Sequence, residues 1–408
     1  MHLRAPAITR PLRFRLYRRV WLGQAVSGIG DGVFPVALTV AVLGAAHGAS
    51  GLGVVLAADA AGAAVGSILG GIAADRLGRF VTMVAADALR LATVLALAGV
   101  YLASFAAVTC CAAAAGFGAA IFAPAYFAAL PQLLEKGELR AGNALRSATT
   151  RVTRLAGPLL GGFLVAAYSP RAAFLIDGAT FLISLVTLAG IREHGARSRD
   201  QRVGIWRSAI GGLGAVTGQY RWIGAVILQG VFQMGFVIGP EVILLPLVLH
   251  RQGRLHDYGW ILALQGLGTV AGSVSAAHRR PRLPGLAAAL AILAVAPELV
   301  ILGAGLPVPL IAASVMLTGW GYTTFAVLWG TALHAQVPAD VLSRVASLDS
   351  LGGYILLPIS SAFTGLAVAG AGLVPVIAGC LSVLVASTVL PLSVRGVLQF
   401  ANVDERQR

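Results

Sequence analysis

Lysine is nearly absent from this chain: Lys136 is the only one in 408 residues, and glycine follows it. No G-x-x-x-x-G-K-[ST] phosphate loop can therefore be present, which excludes ATP hydrolysis by that route. Cysteine is scarce as well. Cys110 and Cys111 are adjacent in an apolar run and Cys380 is far away, so the three give neither a disulfide framework nor a metal-ligand spacing. They read as small packing residues. No H-E-x-x-H, G-x-S-x-G or Cys/His cluster occurs, so no cofactor, metal or enzymatic activity is expected. Charge is thin: 11% of residues are charged against 58% hydrophobic, with a mean hydropathy of +0.85. That is too little polar surface for a soluble protein of this length. The net charge of +14 would suggest nucleic acid if the arginines formed a patch or a tail. They are instead scattered in short clusters between apolar runs, the pattern of loops facing anionic lipid, and no nucleic-acid partner is expected.

What the chain does have is long apolar runs. A membrane span needs about 20 mainly apolar residues, and twelve stretches qualify: roughly 20–46, 51–73, 80–101, 105–129, 144–168, 172–191, 222–249, 258–277, 285–303, 308–331, 347–369 and 372–394. The basic run Arg13 to Arg19 before the first of them mimics a signal peptide. That first run is too long, carries Asp31 and is followed by many like it, so it reads as an uncleaved helix. Of the 30 basic residues, Arg171, Arg251 and Arg254 fall in odd-numbered loops, and Arg90, Arg146, Arg151 and Arg154 fall inside spans. The others lie at the termini and in even-numbered loops, which places both termini in the cytoplasm.

The longest connection, 192–221, is basic and falls near the middle, so it reads as a cytoplasmic linker with one amphipathic turn around Ile205 to Val216. It divides a six-helix half at 1–191 from a second at 222–394, with a tail at 395–408. Internal similarity supports two pseudo-symmetric bundles. Gln24, Gly30 and Pro35 recur as Gln229, Gly235 and Pro240. Leu130, Leu139, Leu145 and Ser147 recur as Leu333, Leu342, Leu348 and Ser350, and Gly66-Ser67 recurs as Gly272-Ser273. Duplicated halves are what a rocking transporter uses.

The stretch Gly71-Ile-Ala-Ala-Asp75-Arg76-Leu-Gly78-Arg79 lies between the second and third spans. It packs an acid, two arginines and two end glycines into a connection that must leave the hydrocarbon. It resembles the G-x-L-a-D-r-x-G-r signature of the major facilitator superfamily, with Ala73 in place of leucine. In span 5, Gly157-Pro158-Leu-Leu-Gly161-Gly162 resembles the G-P-x-x-G-G core of the antiporter motif of the exporter branches, with Thr153 where the family has glycine. Proline frees a carbonyl and bends the helix, and the glycines admit a close neighbour. The same residues also suit a kinked packing helix with no exporter meaning. Trp21 to Asp31, Asn143-Ala-Leu145 and Phe174 to Ser184 are similar to the macrolide-efflux and siderophore-exporter branch of the drug:proton antiporters. One departure is plain: 103–129 contains no basic residue, so the helix 4 arginine of many such antiporters is missing.

Charges inside a membrane are costly and invite functional readings. Asp31 shares a polar stripe with Gln24, Ser27 and Gly28, and is a candidate for proton coupling or for a structural salt bridge. Glu241, on one helix face with Gln229 and Gln233, is a second proton-coupling candidate or a residue wetted from outside. Asp87 and Arg90 suit a local pair. Arg151 and Arg154, taken as buried, need a carboxylate among Asp31, Asp59 and Asp177, or an anion. The resemblance implies that spans 1, 4, 7 and 10 line a central cavity, where Gln24, Gln229, Gln233, Tyr322, Phe325 and Trp329 are candidate substrate contacts; the aromatics equally suit packing. It also implies that Asp75 caps the start of span 11, near Arg344 to Ser347. The resulting expectation is an all-α transporter of the cytoplasmic (cell) membrane, acting as a monomer. It would export a drug-like or self-made small molecule, or a siderophore, in exchange for protons. An importer or facilitator of the same fold, or a non-transporting membrane scaffold or sensor, are the competing classes.

Overall fold

The computed structural model describes residues 7–45, 47–191, 220–279, 281–337, 345, 356 and 359–400. Every regular element among them is helical. A short 3-10 helix, Ala7–Arg13, precedes α1 (Arg15–Gly44), α2 (Gly48–Leu77), α3 (Arg79–Val100), α4 (Phe105–Leu133), α5 (Leu139–Ala167) and α6 (Pro170–Leu188). After them come α7 (Arg221–Arg251), α8 (Tyr258–His278), α9 (Pro284–Gly303), α10 (Val308–Gln336), α11 (Ile359–Ala371) and α12 (Leu373–Val389). Ten of the described helices are long and apolar enough to cross a membrane. The two others have different reasons for falling short. α5 has the length but is diluted by Arg146, Arg151 and Arg154, while α11 is described only from Ile359.

The ends of these helices follow from local sequence. Ser104 and Ser169 cap α4 and α6, their hydroxyls accepting from the backbone N–H of Ala107 and Ala172 at 3.2 Å, and Pro170 opens α6 at a position with no N–H to lose. Between α2 and α3 the connection is shorter than expected. α2 runs on through Leu77, and Gly78 alone, at φ +100°, makes the turn. That conformation is strained for any residue with a Cβ.

Two compact units are present: residues 1–200 with 256–260, and residues 201–255 with 261–408. In the first, α1 packs on α5 and α6, α3 on α4 and α6, and α2 on α4. The α2–α4 contact is made backbone to backbone: Gly62, Gly66 and Gly70 lie against Ala113, Phe117 and Ile121, where a Cβ would overlap the neighbouring chain. Small residues serve this purpose in membrane bundles, since close approach replaces a hydrophobic driving force that lipid does not supply. In the second unit, α9 packs on α10 and α12, and Gly268 and Gly272 of α8 lie in the same way against Met316 and Trp320 of α10. Gly66 and Gly272, matched in the sequence repeat, thus have the same work in each unit. Residues 192–219 of the expected linker, including the stretch expected to form an amphipathic turn, lie outside the described residues, as do 401–408 of the tail.

In α7 the helix changes character. Met234–Ile238 is a π turn, and Pro240 follows it with no N–H to give. The carbonyl of Gly235, which residue 240 would satisfy in a continued π pattern, instead accepts from the Ser360 hydroxyl of α11. Gln233, just before the turn, ties α7 to α12 by donating to Thr388 at 3.0 Å and Ser387 at 3.3 Å.

Candidate functional site

Three helices of the first unit converge on Arg90. It sits on α3, is 7% exposed, and lays its guanidinium over the Phe181 ring of α6 at 4.2 Å. One terminal nitrogen pairs with Asp31 of α1, and the other reaches Asp87, one turn back on α3, at 3.4 Å. Asp177 of α6 lies within electrostatic range and is fully buried, as is Asp87. The remaining Asp87 oxygen accepts from Ser184 of α6 at 2.6 Å, and Ser184 in turn accepts from Gln24 of α1 at 2.8 Å. Asp177 is held by Thr180 at 3.4 Å on one oxygen, and its other oxygen has no hydrogen-bond partner among the described residues. The approach of α6 to α1 that makes this possible occurs at Gly30, where a Cβ would collide with Asp177 and Thr180.

Three carboxyls therefore face one guanidinium. If all were ionised, two negative charges would be unmatched in a membrane interior, which is costly. Such a cluster balances when it takes up protons or a cationic partner. Asp31 differs from the two buried acids in that its side chain is 44% exposed, so of the three carboxyls it is the least enclosed by protein while its pair is held in the interior.

This arrangement corrects one sequence expectation and refines another. Arg151 and Arg154 are not buried charges: both are exposed on α5, with no ion pair among the described residues. The turn that carries them presents Thr153 and Gly157 inward instead, so the three-residue spacing of the arginines puts both on the outer side. The partner of Asp31 is Arg90, which does more than make a local pair with Asp87. A buried arginine is present after all, on α3 rather than α4. Asp59 is half-buried on α2 beside Gly116 of α4, with no ion pair among the described residues.

Gly157 and Gly161 of the Gly157-Pro158-Leu-Leu-Gly161-Gly162 run face α1, while Gly162 lies against Gly259 of α8. A Cβ on Gly157 would lie 2.5 Å from the Gly32 Cα, and one on Gly161 3.1 Å from the Val33 Cα. In an exposed helix, Gly to Ala stabilises by roughly 0.8–1 kcal/mol. Here the obstacle is backbone, which cannot swing aside, so Gly157→Ala is expected to destabilise by about 1–3 kcal/mol instead. A lowered thermal midpoint in detergent, against a raised one for Gly71→Ala where the added Cβ meets open space on an exposed helix face, checks this.

In the second unit, both Glu241 oxygens accept, from Gln265 of α8 at 2.9 Å and from the Tyr322 hydroxyl of α10 at 2.7 Å. Gln229 is buried near the start of α7, its amide nitrogen without a partner among the described residues. Trp329 is locked in a cluster, edge-on to Trp222 at 6.0 Å and to Phe400 at 5.8 Å, and Phe325 packs against the same cluster. Of the expected aromatic contacts, Trp329 is thus a packing residue, and Tyr322 is a carboxyl ligand. Asp75 and Arg76 are exposed on the last turn of α2, before Gly78 and Arg79. The segment that Asp75 was expected to cap, Arg344 to Ser347, lies outside the described residues apart from Val345.

The sequence model of the Major Facilitator Superfamily matches residues 20–254. The chain belongs to this superfamily. Like its members it is a multi-pass cell-membrane transporter and not an enzyme. Among curated superfamily relatives it is 24% identical over 362 residues to the multidrug efflux pump Tap of Mycolicibacterium fortuitum, covering 85% of this chain and 88% of that one. Solved structures share the fold. An aspartate mutant of the nucleoside transporter NupG superposes with a TM-score of 0.76 at 11% identity, covering 92% of this chain and 99% of that one. A bacterial homologue of the iron transporter ferroportin in an inward-facing state gives 0.69 at 16%, covering 93% and 98%. A D-xylose–proton symporter gives 0.68 at 14%, covering 95% and 98%.

Proposed function

We propose that this transporter exports a small apolar or amphipathic molecule, a drug or a secondary metabolite, in exchange for protons. The observation that carries the reading is the Asp31–Arg90–Asp87 cluster, an acid-rich charge group inside the helical bundle with one carboxyl, Asp31, exposed and the others buried. In this reading the chain crosses the membrane twelve times with both termini cytoplasmic and acts as a monomer. Halves 1–191 and 222–394 alternate access by rocking, with 192–221 as the linker. Asp31 releases its proton when the bound state gives way to water, and its retained attraction to Arg90 resets the site. The helix 5 glycine run against α1 supports a pivot there, and the name of the mycobacterial relative, an efflux pump, supports the outward direction. Import has one point in its favour, since the solved neighbours include a sugar–proton symporter. A siderophore is the nearest variant of the exported cargo.

Inside-out vesicles from a strain lacking its other exporters separate these readings. With an acidic vesicle interior, a panel of amphipathic drugs is expected to include at least one that accumulates and simultaneously dissipates the pH gradient, as followed with a pH-sensitive dye. Accumulation in right-side-out vesicles alone would establish import.

A further inference from the structure

The second unit contains a buried acid that the sequence patterns did not single out. Glu298 lies in the apolar helix α9, is 0% exposed, and bonds through one oxygen to the Thr318 hydroxyl of α10 at 2.5 Å. Its other oxygen has no partner among the described residues. Thr318 and Tyr322 are four apart on α10, hence neighbours on one face, with Cβ atoms about 5–6 Å apart. One holds Glu298 and the next holds Glu241, so two carboxyls bracket successive turns of a single helix face.

No cation answers them. Among the described residues, α9 has no other charged group. α8 has His278, α10 has His334 and α7 has Arg221, His250 and Arg251, all toward the helix ends. α12 contributes Cys380, and α11 nothing titratable. Two ionised carboxylates in this interior would be unpaired like charges, which apolar surroundings do not tolerate. The donors also divide unequally. Glu241 receives two, as a carboxylate would; Glu298 has a single hydroxyl that can act as donor or acceptor. As a carboxylic acid, Glu298 can donate to the Thr318 oxygen, which leaves only its carbonyl oxygen without a partner.

We propose that Glu298 and Glu241 form a second proton-binding site, separate from Asp31, in which Glu298 carries the resident proton. The Tyr322 hydroxyl and Gln265 hold Glu241 next to it as the carboxyl to which negative charge is confined. Uptake is simple addition of a proton to a carboxylate, with no other reactant. What that proton does during transport rests on the exporter reading; its presence does not.

Infrared spectra of the purified protein in lipid at neutral pH test the assignment directly. The difference between wild type and Glu298→Gln is expected to contain the C=O band of one protonated carboxyl, and Asp31→Asn is expected to leave that component unchanged. Thr318→Val should keep the band but move it to higher frequency, because the acceptor of the hydrogen bond that the Glu298 hydroxyl donates is gone. If folded Glu298→Gln shows the wild-type carboxyl band at full intensity, Glu298 is ionised and the proposal is overturned. Should Glu298→Gln fail to fold, Thr318→Val decides, and an unmoved band overturns the proposal equally. Vesicles that show no proton-coupled accumulation would remove the exporter reading while leaving the infrared result standing.

Discussion

Arg90→Met is expected to cost more stability than Gly157→Ala or Asp31→Asn, about 3–5 kcal/mol, because it leaves Asp87 and Asp177 buried without their counter-charge. Methionine is close to arginine in length and can fill the slot against Phe181 and Gly118, so the loss reports charge rather than a cavity. The pH dependence has a definite sign. Acids stripped of their arginine bind protons in the folded variant at pH values where the unfolded chain has released them. Stability of the variant must then fall as pH rises, and the deficit against wild type must shrink in acid. Adding Asp87→Asn should recover part of the loss. Thermal midpoints in detergent across a pH series, for the single and double variants, check all three statements. A small, pH-independent effect would mean that water or another group already solvates these acids.

Asp31→Asn carries the largest functional effect. Asp31 is the exposed member of the cluster, so its ion pair is expected to contribute about 1 kcal/mol or less to stability, and the variant should fold and insert. Uphill accumulation driven by a pH gradient should vanish, leaving the substrate concentration equal on the two sides, while downhill equilibration of a neutral substrate continues. Counterflow in proteoliposomes, with and without an imposed gradient, separates the two. If the variant still concentrates substrate with wild-type pH dependence, Asp31 has a structural role and coupling passes to Glu241.

The parts of this molecule that were legible in the sequence are those set by one-dimensional patterns. Apolar runs between glycines and arginines locate the helices, and the Gly71 to Arg79 motif marks the turn found at Gly78, whereas the π turn before Pro240 was not anticipated. The repeat of Gly66 at Gly272 was readable as well, and the structure gives its reason in backbone-to-backbone packing. Pairing across helices was not legible. Arg151 and Arg154 stood out because they interrupt a span, yet burial depends on which way a helix is turned, and these two are exposed. Arg90 was masked by its neighbour, since an acid three residues before an arginine suggests a closed local pair. Its reach to α1 follows only from where α1, α3 and α6 meet. Glu298 carried a usable signal, a lone acid in the otherwise apolar run 285–303, but no pattern in α10 identified Thr318 as its partner.

The hydroxyl of Ser360 on the Gly235 carbonyl has a mechanical meaning. A continuous α-helix resists bending because curvature must stretch or break amide hydrogen bonds on its convex side. In α7 that rupture is already present at the proline, and a rotatable side chain from α11 covers the exposed oxygen. The segment on either side of residues 234–240 can therefore change its angle by sliding one hydroxyl contact, with the backbone ladder untouched. Glu241, tied to α8 and α10, lies on one side of this joint and Gln233, tied to α12, on the other. A flexure at that point would alter how Tyr322 and Gln265 grip the carboxylate, so bending of one helix and occupancy of an acid become two readings of the same coordinate.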